Sequence, residues 1–419
     1  MRKEILRIRP LASLWGNPPA QELHARGADF AAVSALAPRL EATGVVVPGL
    51  PLETATQLRQ DAAKSGLTAV LCRPLARGKG RRGEVSDVVL FGPVASLKKF
   101  AAGLEDADLA AALSQTLDNL FVSPKRIWRC RDRVLALGEK TLIMGILNAT
   151  PDSFSGDGLA GSLEAGLRRA EAMIEAGADI LDIGGESSRP GAEAVSAEEE
   201  IERVIPLIET ICRAHEIPVS VDTTKAAVAT EAIKAGAVII NDISALSFDP
   251  EMAAVAAESK AGVILMHMLG TPRDMQKDPA YADLMAEIYA FLGARAEAAI
   301  AAGIDRDSVV IDPGFGFGKT VEHNLEILRR LRELRGLGYP VLIGTSRKST
   351  IGKILGTEAD ARLEGTAATV ALVIAAGADI VRLHDVAEMA RVAKMSDAVL
   401  RVEHQPPDAE EYLPWGGQQ

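Results

Sequence analysis

The sequence contains few cysteines, and none of them belongs to a recognisable motif. Only three occur in 419 residues, at Cys72, Cys130 and Cys212. They lie far apart and form neither a CxxC pair nor a Cys/His cluster, which excludes a zinc or redox motif of these kinds. Such sparse, unpaired cysteines are typical of a protein from a reducing compartment.

The chain also lacks a long apolar run. Nowhere do about 18 or more apolar residues follow one another, so we expect no membrane-spanning helix. The N-terminal stretch MRKEILRIRPLASLWGN carries basic residues but no uninterrupted apolar segment, which argues against a signal peptide. These absences predict a cytoplasmic protein.

The chain also has fewer basic residues than acidic ones. The 57 acidic residues outnumber the 46 basic ones, which gives a net charge of −11 and a pI near 5.2. This balance argues against nucleic-acid binding as the main activity, so an anionic partner must be held by local basic sites. An apolar content of 48% and a charged content of 25% are those of a soluble globular protein.

From residue 141 onward the chain repeats one pattern: an apolar strand, a polar loop, an amphipathic helix, a glycine, and the next strand. EAGADILDIGGE, KAGAVIINDIS and AAGADIVRLHD are examples. Glycine after an Ala-rich helix is typical of a helix end, and strands that are apolar on both faces are typical of a parallel sheet. Eight strands are predicted, at 141–148, 179–185, 218–223, 238–243, 262–268, 309–313, 340–345 and 379–384.

Eight such units over about 260 residues predict a (β/α)8 TIM barrel, which typically needs about 250. Helices are expected at 162–176, 197–215, 225–235, 250–259, 280–302, 321–337, 361–376 and 386–402. A doubly wound sheet is the competing architecture, but no GxGxxG turn follows the first strand. We therefore predict an α/β protein whose barrel occupies residues 127–404.

Residues 1–126 predict a smaller α/β domain that precedes the barrel. TGVVVPGL, LTAVLCRPL and VSDVVLFGP read as strands, and LETATQLRQDAAKSG and VASLKKFAAGL read as helices. A basic loop at 76–83 interrupts them and is best explained as a solvated turn, with an anion or partner site as the alternative. No glycine-rich or paired-aspartate motif supports a kinase here, so a packing or oligomerisation role is preferred. Residues 123–140 are expected to form a hairpin that closes the barrel floor, and 405–419 a loose tail.

Polar residues end every predicted strand of the barrel. In this fold the C-terminal strand ends and the loops after them carry the chemistry. One buried aspartate has a structural explanation, but a polar ring on eight strands predicts a site. The main members are Asn148, Asp182, Asp222, Asn241, Asp242, His267, Asp312, Lys348, Arg382 and His384.

These residue types predict the chemical groups that the site binds. Asp222, Asn241 and Asp312 suit a flat heterocycle with a guanidine-like edge, because a carboxylate accepts two N–H bonds and Asn both donates and accepts. Positive charge for an anion such as a phosphate is expected from Arg189, Lys348, Arg382 and His384. Mg2+ prefers oxygen ligands beside a substrate phosphate, and Asn148 and Asp152 offer such oxygens.

Eight separated motifs resemble dihydropteroate synthase, and they occur in the family's order within residues 127–402. They are MGILNATPDSFS, DIGGESSRPGA, SVDTTK, NDIS, LMHM, DPGFGFGK, GTSRKS and VRLHDV. The resemblance implies a transferase of folate biosynthesis that condenses 6-hydroxymethyl-7,8-dihydropterin pyrophosphate with 4-aminobenzoate to give 7,8-dihydropteroate and pyrophosphate. It also implies Mg2+ as a cofactor and a homodimer formed through the later barrel helices.

The resemblance further implies roles for individual residues. The pterin edges would meet Asp222, Asn241, Asp312 and Lys348, and its faces would meet Ile243, Met266 and Arg382. Asn148 would contact both Mg2+ and the pyrophosphate, whose oxygens Arg382 and His384 would bind. The 4-aminobenzoate would lie near Ser188, Arg189, Pro190, Phe317, Lys348 and Ser349. Catalysis would depend on Asp222, Lys348, Arg382 and His384.

Some positions depart from the family pattern or take secondary roles. The order Gly156–Asp157 is inverted, Ser188 replaces a threonine, and Ala149 replaces a valine. The first two lie in the loops expected to cover the aminobenzoate. Secondary, orienting roles are expected for Asp182 and Asp242, and a position at the edge of the core for His267.

Two other functions remain as alternatives. A methyltransferase that passes a methyl group from methyltetrahydrofolate to a corrinoid protein would share the pterin-edge residues. It would not need the anion and aminobenzoate features of ESSRPG and SRKS, which are present here. An inactive pterin-binding homologue is the third possibility, and the retention of every polar site position argues against it.

Overall fold

The structure is a computed structural model, and it describes residues 42–72, 85–121, 126–149, 158–187 and 195–401. They fall into two compact units that divide between Asp118 and Asn119. The predictions for the basic loop 76–83 and the tail 405–419 lie outside the described residues. Among the described residues, no helix combines the length and the apolar composition that a membrane span needs.

The first unit is built on a three-stranded antiparallel sheet, as far as the structure describes it. Strand β3 lies between β1 and β2, and alternate residues of β3, such as Val88 and Leu90, are fully buried while Phe91 is exposed. The predicted smaller α/β domain is confirmed. Its elements are β1 (Ala42–Pro51), α1 (Leu52–Lys64), β2 (Thr68–Cys72), β3 (Val85–Pro93), α2 (Val94–Ala102) and α3 (Ala107–Phe121).

The second unit is a parallel barrel preceded by an antiparallel hairpin. The hairpin strands are β4 (Arg126–Cys130) and β5 (Arg133–Leu137). The barrel elements that follow are β6 (Leu142–Asn148), α4 (Gly158–Glu175), β7 (Ile180–Gly184), α5 (Ala197–Ala214), β8 (Val219–Asp222), α6 (Ala226–Lys234), β9 (Ile239–Asp242), α7 (Met252–Ser259), β10 (Gly262–Met266), α8 (Leu284–Ala301), β11 (Val309–Asp312), α9 (Val321–Arg330), β12 (Leu342–Ile343), α10 (Ser349–Leu355), α11 (Leu363–Ala375), β13 (Ile380–Leu383) and α12 (Val386–Leu400).

The order of the strands confirms the (β/α)8 barrel. Hydrogen bonds connect β11, β10, β9, β8, β7, β6, β13 and β12 in that sequence, all in parallel, and a bridge between Ile311 and Val341 joins the two ends. Each of the eight strands in the described chain lies inside its predicted range. Among the described α-helices, α3 and α10 were not predicted. The helix predicted to run to residue 337 ends at Arg330 before a short 3₁₀ segment.

Local sequence explains where the helices begin. Ser196 caps α5, because its hydroxyl accepts the N–H of Glu199 at 3.2 Å, and three glutamates in the first turn favour the positive end of the helix dipole. Thr320 and His323 form a reciprocal capping box at the start of α9.

Side chains alternate along each barrel strand between the helical layer and the barrel interior. On β7, Leu181 and Ile183 pack in the core formed with the helices, whereas Ile180 lies in the cluster that fills the N-terminal end of the barrel. Asp182, two residues beyond Ile180, therefore faces inward nearer the C-terminal end. The same alternation turns inward Asp222, Asn241, Met266, Asp312 and Arg382.

The β4–β5 hairpin closes the N-terminal end of the barrel, as predicted. Trp128 is fully buried in the cluster formed by the inward residues at the strand starts, and its Nε1 donates to the Ser308 carbonyl at 2.9 Å. A Cβ at Gly262 would lie 2.5 Å from the Cys130 sulfur, so this approach requires glycine. The buried position of Trp128 was not predicted.

Replacement of Trp128 with alanine should lower the free energy of unfolding by about 3–5 kcal/mol, because it leaves a large cavity in the barrel floor. Urea denaturation of the full chain, followed by circular dichroism, measures the loss. Trp128→Phe is the control and should cost less, since it keeps most of the buried apolar volume and loses the hydrogen bond to Ser308. An alanine variant as stable as the parent would contradict the assigned packing.

Candidate active site

The centre of the inward-facing polar layer is Arg382 on β13. Its Nε donates to Asp182 Oδ2 and its Nη2 donates to Asp222 Oδ2, each at 2.6 Å. Asn241 on β9 also donates to Asp182 Oδ2, at 3.0 Å. Side chains from four strands are thereby joined inside the C-terminal end of the barrel.

Burial dominates the electrostatics of this group. It raises the pKa of Asp222 to about 7, an effect that Arg382 opposes and the negative charge of Asp182 reinforces. Although burial disfavours a charged guanidinium, the Asp182 and Asp222 carboxylates hold the pKa of Arg382 above its ordinary value. Arg382 therefore stays cationic, while Asp222 titrates close to neutral pH.

Asp312 and Lys348 add a second pair of opposite charges to the site. Asp312 ends β11 and accepts the N–H of Gly314 at 2.7 Å. Burial raises the pKa of Asp312 to about 6, against the effect of that N–H and of Lys348. Burial and Arg382 lower the pKa of Lys348 to about 8. The Lys348 ammonium also lies over the Phe317 ring, 4.1 Å from its centroid, as a cation–π contact.

An apolar cluster borders the polar layer. Ile243, Met266 and Phe317, all of them predicted site residues, pack together with Met275 and the half-buried Met268. The two further methionines lie after β10 and were not predicted. Methionine adapts its shape readily, so this cluster offers a surface that can fit the face of a flat ring.

The glycine-rich loop after β11 is held against the loop after β10. A Cβ on Gly314, whose φ is +68°, would lie 1.9 Å from the His267 carbonyl oxygen, so only glycine fits. Lys319 then secures the loop, because its Nζ donates to the carbonyls of Phe317 at 2.9 Å and His267 at 3.3 Å and contacts His267 Nδ1 at 3.0 Å. Lys319 was not predicted as a site residue, although it ends a quoted motif.

Near pH 7 Lys319 carries only part of a positive charge, and His267 carries none. Lys319 is only 3% exposed, and burial lowers its pKa to about 7. Burial, with Lys319 beside it, lowers the pKa of His267 to about 3. His267 is consequently a neutral ring near pH 7 and acts as a packing and hydrogen-bonding residue.

His384 lies two residues beyond Arg382 on the same face. Its Nδ1 is 3.1 Å from the Ser346 hydroxyl. Burial, followed by the charges of Arg382 and Arg347, lowers the pKa of His384 to about 3. His384 was predicted to supply positive charge, but near pH 7 this environment keeps it neutral, so it offers a hydrogen bond in place of a charge.

Comparison with known proteins places these features in a family. Residues 144–384, from β6 to just past β13, match the family described as pterin binding enzyme. The chain belongs to this family. The dihydropteroate synthase of Synechocystis sp. is 50% identical over 265 residues, which are 63% of this chain and 92% of that protein. The dihydropteroate synthase of Bacillus subtilis is 49% identical over 279 residues, 67% of this chain and 95% of that protein.

Solved structures of pterin binding enzymes agree with this assignment. A dihydropteroate synthase from Xanthomonas albilineans with 4-aminobenzoic acid has 43% identity and a TM-score of 0.63, and the match covers 67% of this chain and 100% of that one. A structure from the same organism in complex with 7,8-dihydropteroate has 40% identity and a TM-score of 0.59, covering 66% and 100%. The predicted resemblance to dihydropteroate synthase is confirmed, and about a third of this chain lies outside these matches.

Most of the predicted site residues of this pterin binding enzyme lie within the described chain. Asp222, Asn241 and Arg382 are joined through hydrogen bonds that include Asp182, which had been given only a secondary role. Ser349 is exposed at the start of α10. The predictions for Asp152, Asp157, Ser188, Arg189 and Pro190 lie outside the described residues.

Lys225 is a further residue of the quoted motifs that had no predicted role. Its Nζ donates to Glu186 and to the fully buried Glu200, each at 2.5 Å. Glu186 in turn accepts the N–H of Val195 at 3.2 Å. This network joins β7, α5 and the loop after β8 beside the site. The acidic partners were not predictable because they lie on different elements.

Asn148 is the described residue that would hold a metal ion arriving with a phosphate. Within the described ranges, no group of three or more His, Cys, Asp or Glu side chains is placed to hold a metal. Asn148, half-buried at the end of β6, supplies a carboxamide oxygen. Mg2+ commonly takes one or two protein oxygens and completes its octahedron with phosphate oxygens and water. Asn148 suits that arrangement.

Proposed function

We propose that this protein is a dihydropteroate synthase, which condenses 6-hydroxymethyl-7,8-dihydropterin pyrophosphate with 4-aminobenzoate and releases pyrophosphate. The observation that carries the proposal is the inward polar layer around Arg382, which lies beside the apolar cluster of Ile243, Met266 and Phe317. Relatives of this name share about half of the aligned residues with the chain.

The pterin ring lies between Arg382 and the apolar cluster in this proposal. A planar guanidinium stacks on a flat heterocycle, and Ile243 and Met266 cover the other face. Carboxylate oxygens of Asp222 and Asp312 accept the N–H groups of the pterin edge, and Asn241 supplies complementary amide groups. Lys348 donates to an acceptor atom on the same ring.

The reaction needs positioning and charge stabilisation more than a strong base. The bond between the pterin methylene carbon and the pyrophosphate oxygen breaks, and the electron pair leaves with pyrophosphate. The electron-rich pterin stabilises the methylene cation, which the aminobenzoate nitrogen attacks before it loses a proton. Arg382 and His384 bind the leaving group, and Mg2+, contacted by Asn148, would neutralise its charge.

The aminobenzoate lies on the solvent side of the pterin. Phe317 presents its ring next to the Lys348 ammonium, so an aromatic ring and a cation are available together for an aromatic carboxylate. Ser188, Arg189, Pro190 and Ser349 complete this subsite in the proposal. The sequence resemblance supports them, with Lys348 shared between the two substrates.

Lys348→Ala and Asp312→Ala should each reduce turnover at least about 100-fold, because each removes a charge aimed at the substrate. The assay measures pyrophosphate release by the full chain given the pterin pyrophosphate, Mg2+ and 4-aminobenzoate. The matched controls are Lys353→Ala and Asp360→Ala, two exposed positions that should leave turnover unchanged. Near-normal turnover in either site variant would refute the assigned site. Methyl transfer to a corrinoid acceptor without pyrophosphate release would refute the function.

The pH dependence of kcat/KM for the pterin pyrophosphate should be bell-shaped. Below about pH 7 Asp222 becomes protonated, since its pKa is raised, and it no longer accepts two N–H bonds. Above about pH 8 Lys348 loses its proton, since its pKa is lowered. Rate profiles from about pH 5 to 10 test this, and a profile that stays flat across that range would contradict it.

We also propose that the enzyme is a homodimer formed through α11 and α12. Leu372 on α11 and Met395 and Val399 on α12 are 55%, 65% and 59% exposed, on helices that pack side by side. Met395 and Val399 are four residues apart on one face of α12, and contiguous apolar patches on a surface mark interfaces. Light scattering should give a dimer mass for the parent and a monomer for Leu372→Glu combined with Met395→Glu. A monomeric parent at micromolar concentration would exclude the dimer.

A further inference from the structure

Asp182 contacts two of the residues assigned to the pterin and is itself fully buried. One of its oxygens, Oδ2, accepts from Arg382 Nε at 2.6 Å and from Asn241 Nδ2 at 3.0 Å. Asp182 lies on β7, Asn241 on β9 and Arg382 on β13, so a single carboxylate oxygen connects strands from distant parts of the sequence.

We propose that Asp182 is a positioning residue of the pterin site, which fixes the orientation of the Arg382 guanidinium and of the Asn241 carboxamide toward the ligand. This inference rests on the proposed function. It gives a role to Asp182, which is not among the residues proposed to contact the substrates. Asp182 acts on the ligand through these two side chains.

The geometry of Arg382 supports this role. Asp182 takes Nε and Asp222 takes Nη2, so two separate carboxylates define the plane of the guanidinium. A guanidinium carries five N–H donors, and the remaining ones and the flat face stay available for a ring and an anion. With only one carboxylate, the group could rotate about the surviving hydrogen bond.

The orientation of Asn241 follows from the same contact. A carboxylate only accepts hydrogen bonds, so the NH2 end of the carboxamide must face Asp182. The carbonyl oxygen of Asn241 and the second hydrogen of its NH2 group then remain for the ligand, as an acceptor and a donor in fixed places. Asp182 thus favours a ligand whose N–H group lies opposite the Asn241 oxygen.

The cost of burying Asp182 argues for a role of this kind. Its second oxygen, Oδ1, is buried and has no hydrogen-bond partner, and the same holds for the hydroxyl of Ser220, its register partner on β8. An unpaired buried oxygen opposes folding. The presence of a carboxylate at this position is explained by the two side chains that its other oxygen, Oδ2, holds in place.

The negative charge of Asp182 offers a test that distinguishes a positioning role from simple packing, because it affects the pKa of Asp222. The charged groups around Asp222 are Arg382, Asp182, Glu200, Asp242 and Lys348. The negative charge of Asp182 raises the pKa of Asp222, whereas Arg382 lowers it. Removal of the Asp182 charge should therefore lower the pKa of Asp222 and move the acid limb of the kcat/KM profile to lower pH.

Asp182→Asn in the full chain tests the proposal, since asparagine has nearly the same volume. The affinity for the pterin pyrophosphate, measured by calorimetry, should fall about 10-fold or more, because a neutral carboxamide oxygen accepts from Arg382 and Asn241 more weakly than a carboxylate and holds them less firmly. The KM for 4-aminobenzoate should change less than about twofold. The acid limb should move to lower pH. Ser220→Ala, which removes the neighbouring hydroxyl without touching Arg382, is the matched control and should change none of these quantities.

A double-mutant cycle separates action through Arg382 from a general effect. In an Arg382→Gln background, Asp182→Asn should weaken pterin binding much less than in the parent, because the two changes disrupt one contact. Asp182→Glu keeps the charge and displaces it by one methylene, so it should weaken binding and leave the acid limb in place. This variant also serves if the Asn variant folds poorly.

Unchanged pterin affinity in both Asp182 variants would overturn the proposal, as would full additivity with Arg382→Gln or an acid limb that Asp182→Asn does not move. These outcomes are distinct from failure of the proposed function, in which the parent protein itself would neither bind the pterin pyrophosphate nor release pyrophosphate.

Discussion

The Arg382 guanidinium lies half-buried inside the barrel, and two carboxylates from neighbouring strands, Asp182 and Asp222, accept its N–H groups. Charges removed from water cost several kcal/mol each unless they are paired with good geometry, and loss of one partner leaves the others uncompensated. The arrangement therefore requires β7, β8 and β13 to keep a fixed register. The closed barrel fixes this register, because each of the three strands is hydrogen-bonded to a neighbour on both sides.

The two ends of the barrel divide stability and function between them. Along one inner face, Ile180 is followed by Asp182, and Ile380 by Arg382. The first member of each pair packs in the floor under Trp128, and the second lies in the site. A step of two residues keeps the side chain on the same face, so each strand contributes both to an apolar floor and to a polar site. The apolar floor stabilises the barrel and thereby supports the charged residues nearer the C-terminal end.

Much of this organisation could be predicted from the sequence. The strands were predictable because apolar runs between helix-ending glycines are an unambiguous local pattern, and the polar ring was predictable because the fold places strand ends together. Lys319 and Met275 were not, because their roles arise from contacts between loops that no local pattern records. The neutrality of His384 also depends on burial and on nearby cations, which only the packed structure reveals. Helix α10 was missed because its seven residues follow a motif that reads as a loop.

A crystal structure of the full chain with bound 7,8-dihydropteroate tests the central claim most directly. The account predicts the pterin ring between the Arg382 guanidinium and the Met266 side chain, with its N–H edge on Asp222, Asn241 and Asp312. It also predicts that the Arg382 contact to Asp182 persists in the complex. A pterin bound outside the barrel, or one that displaces Arg382 from Asp182, would contradict it.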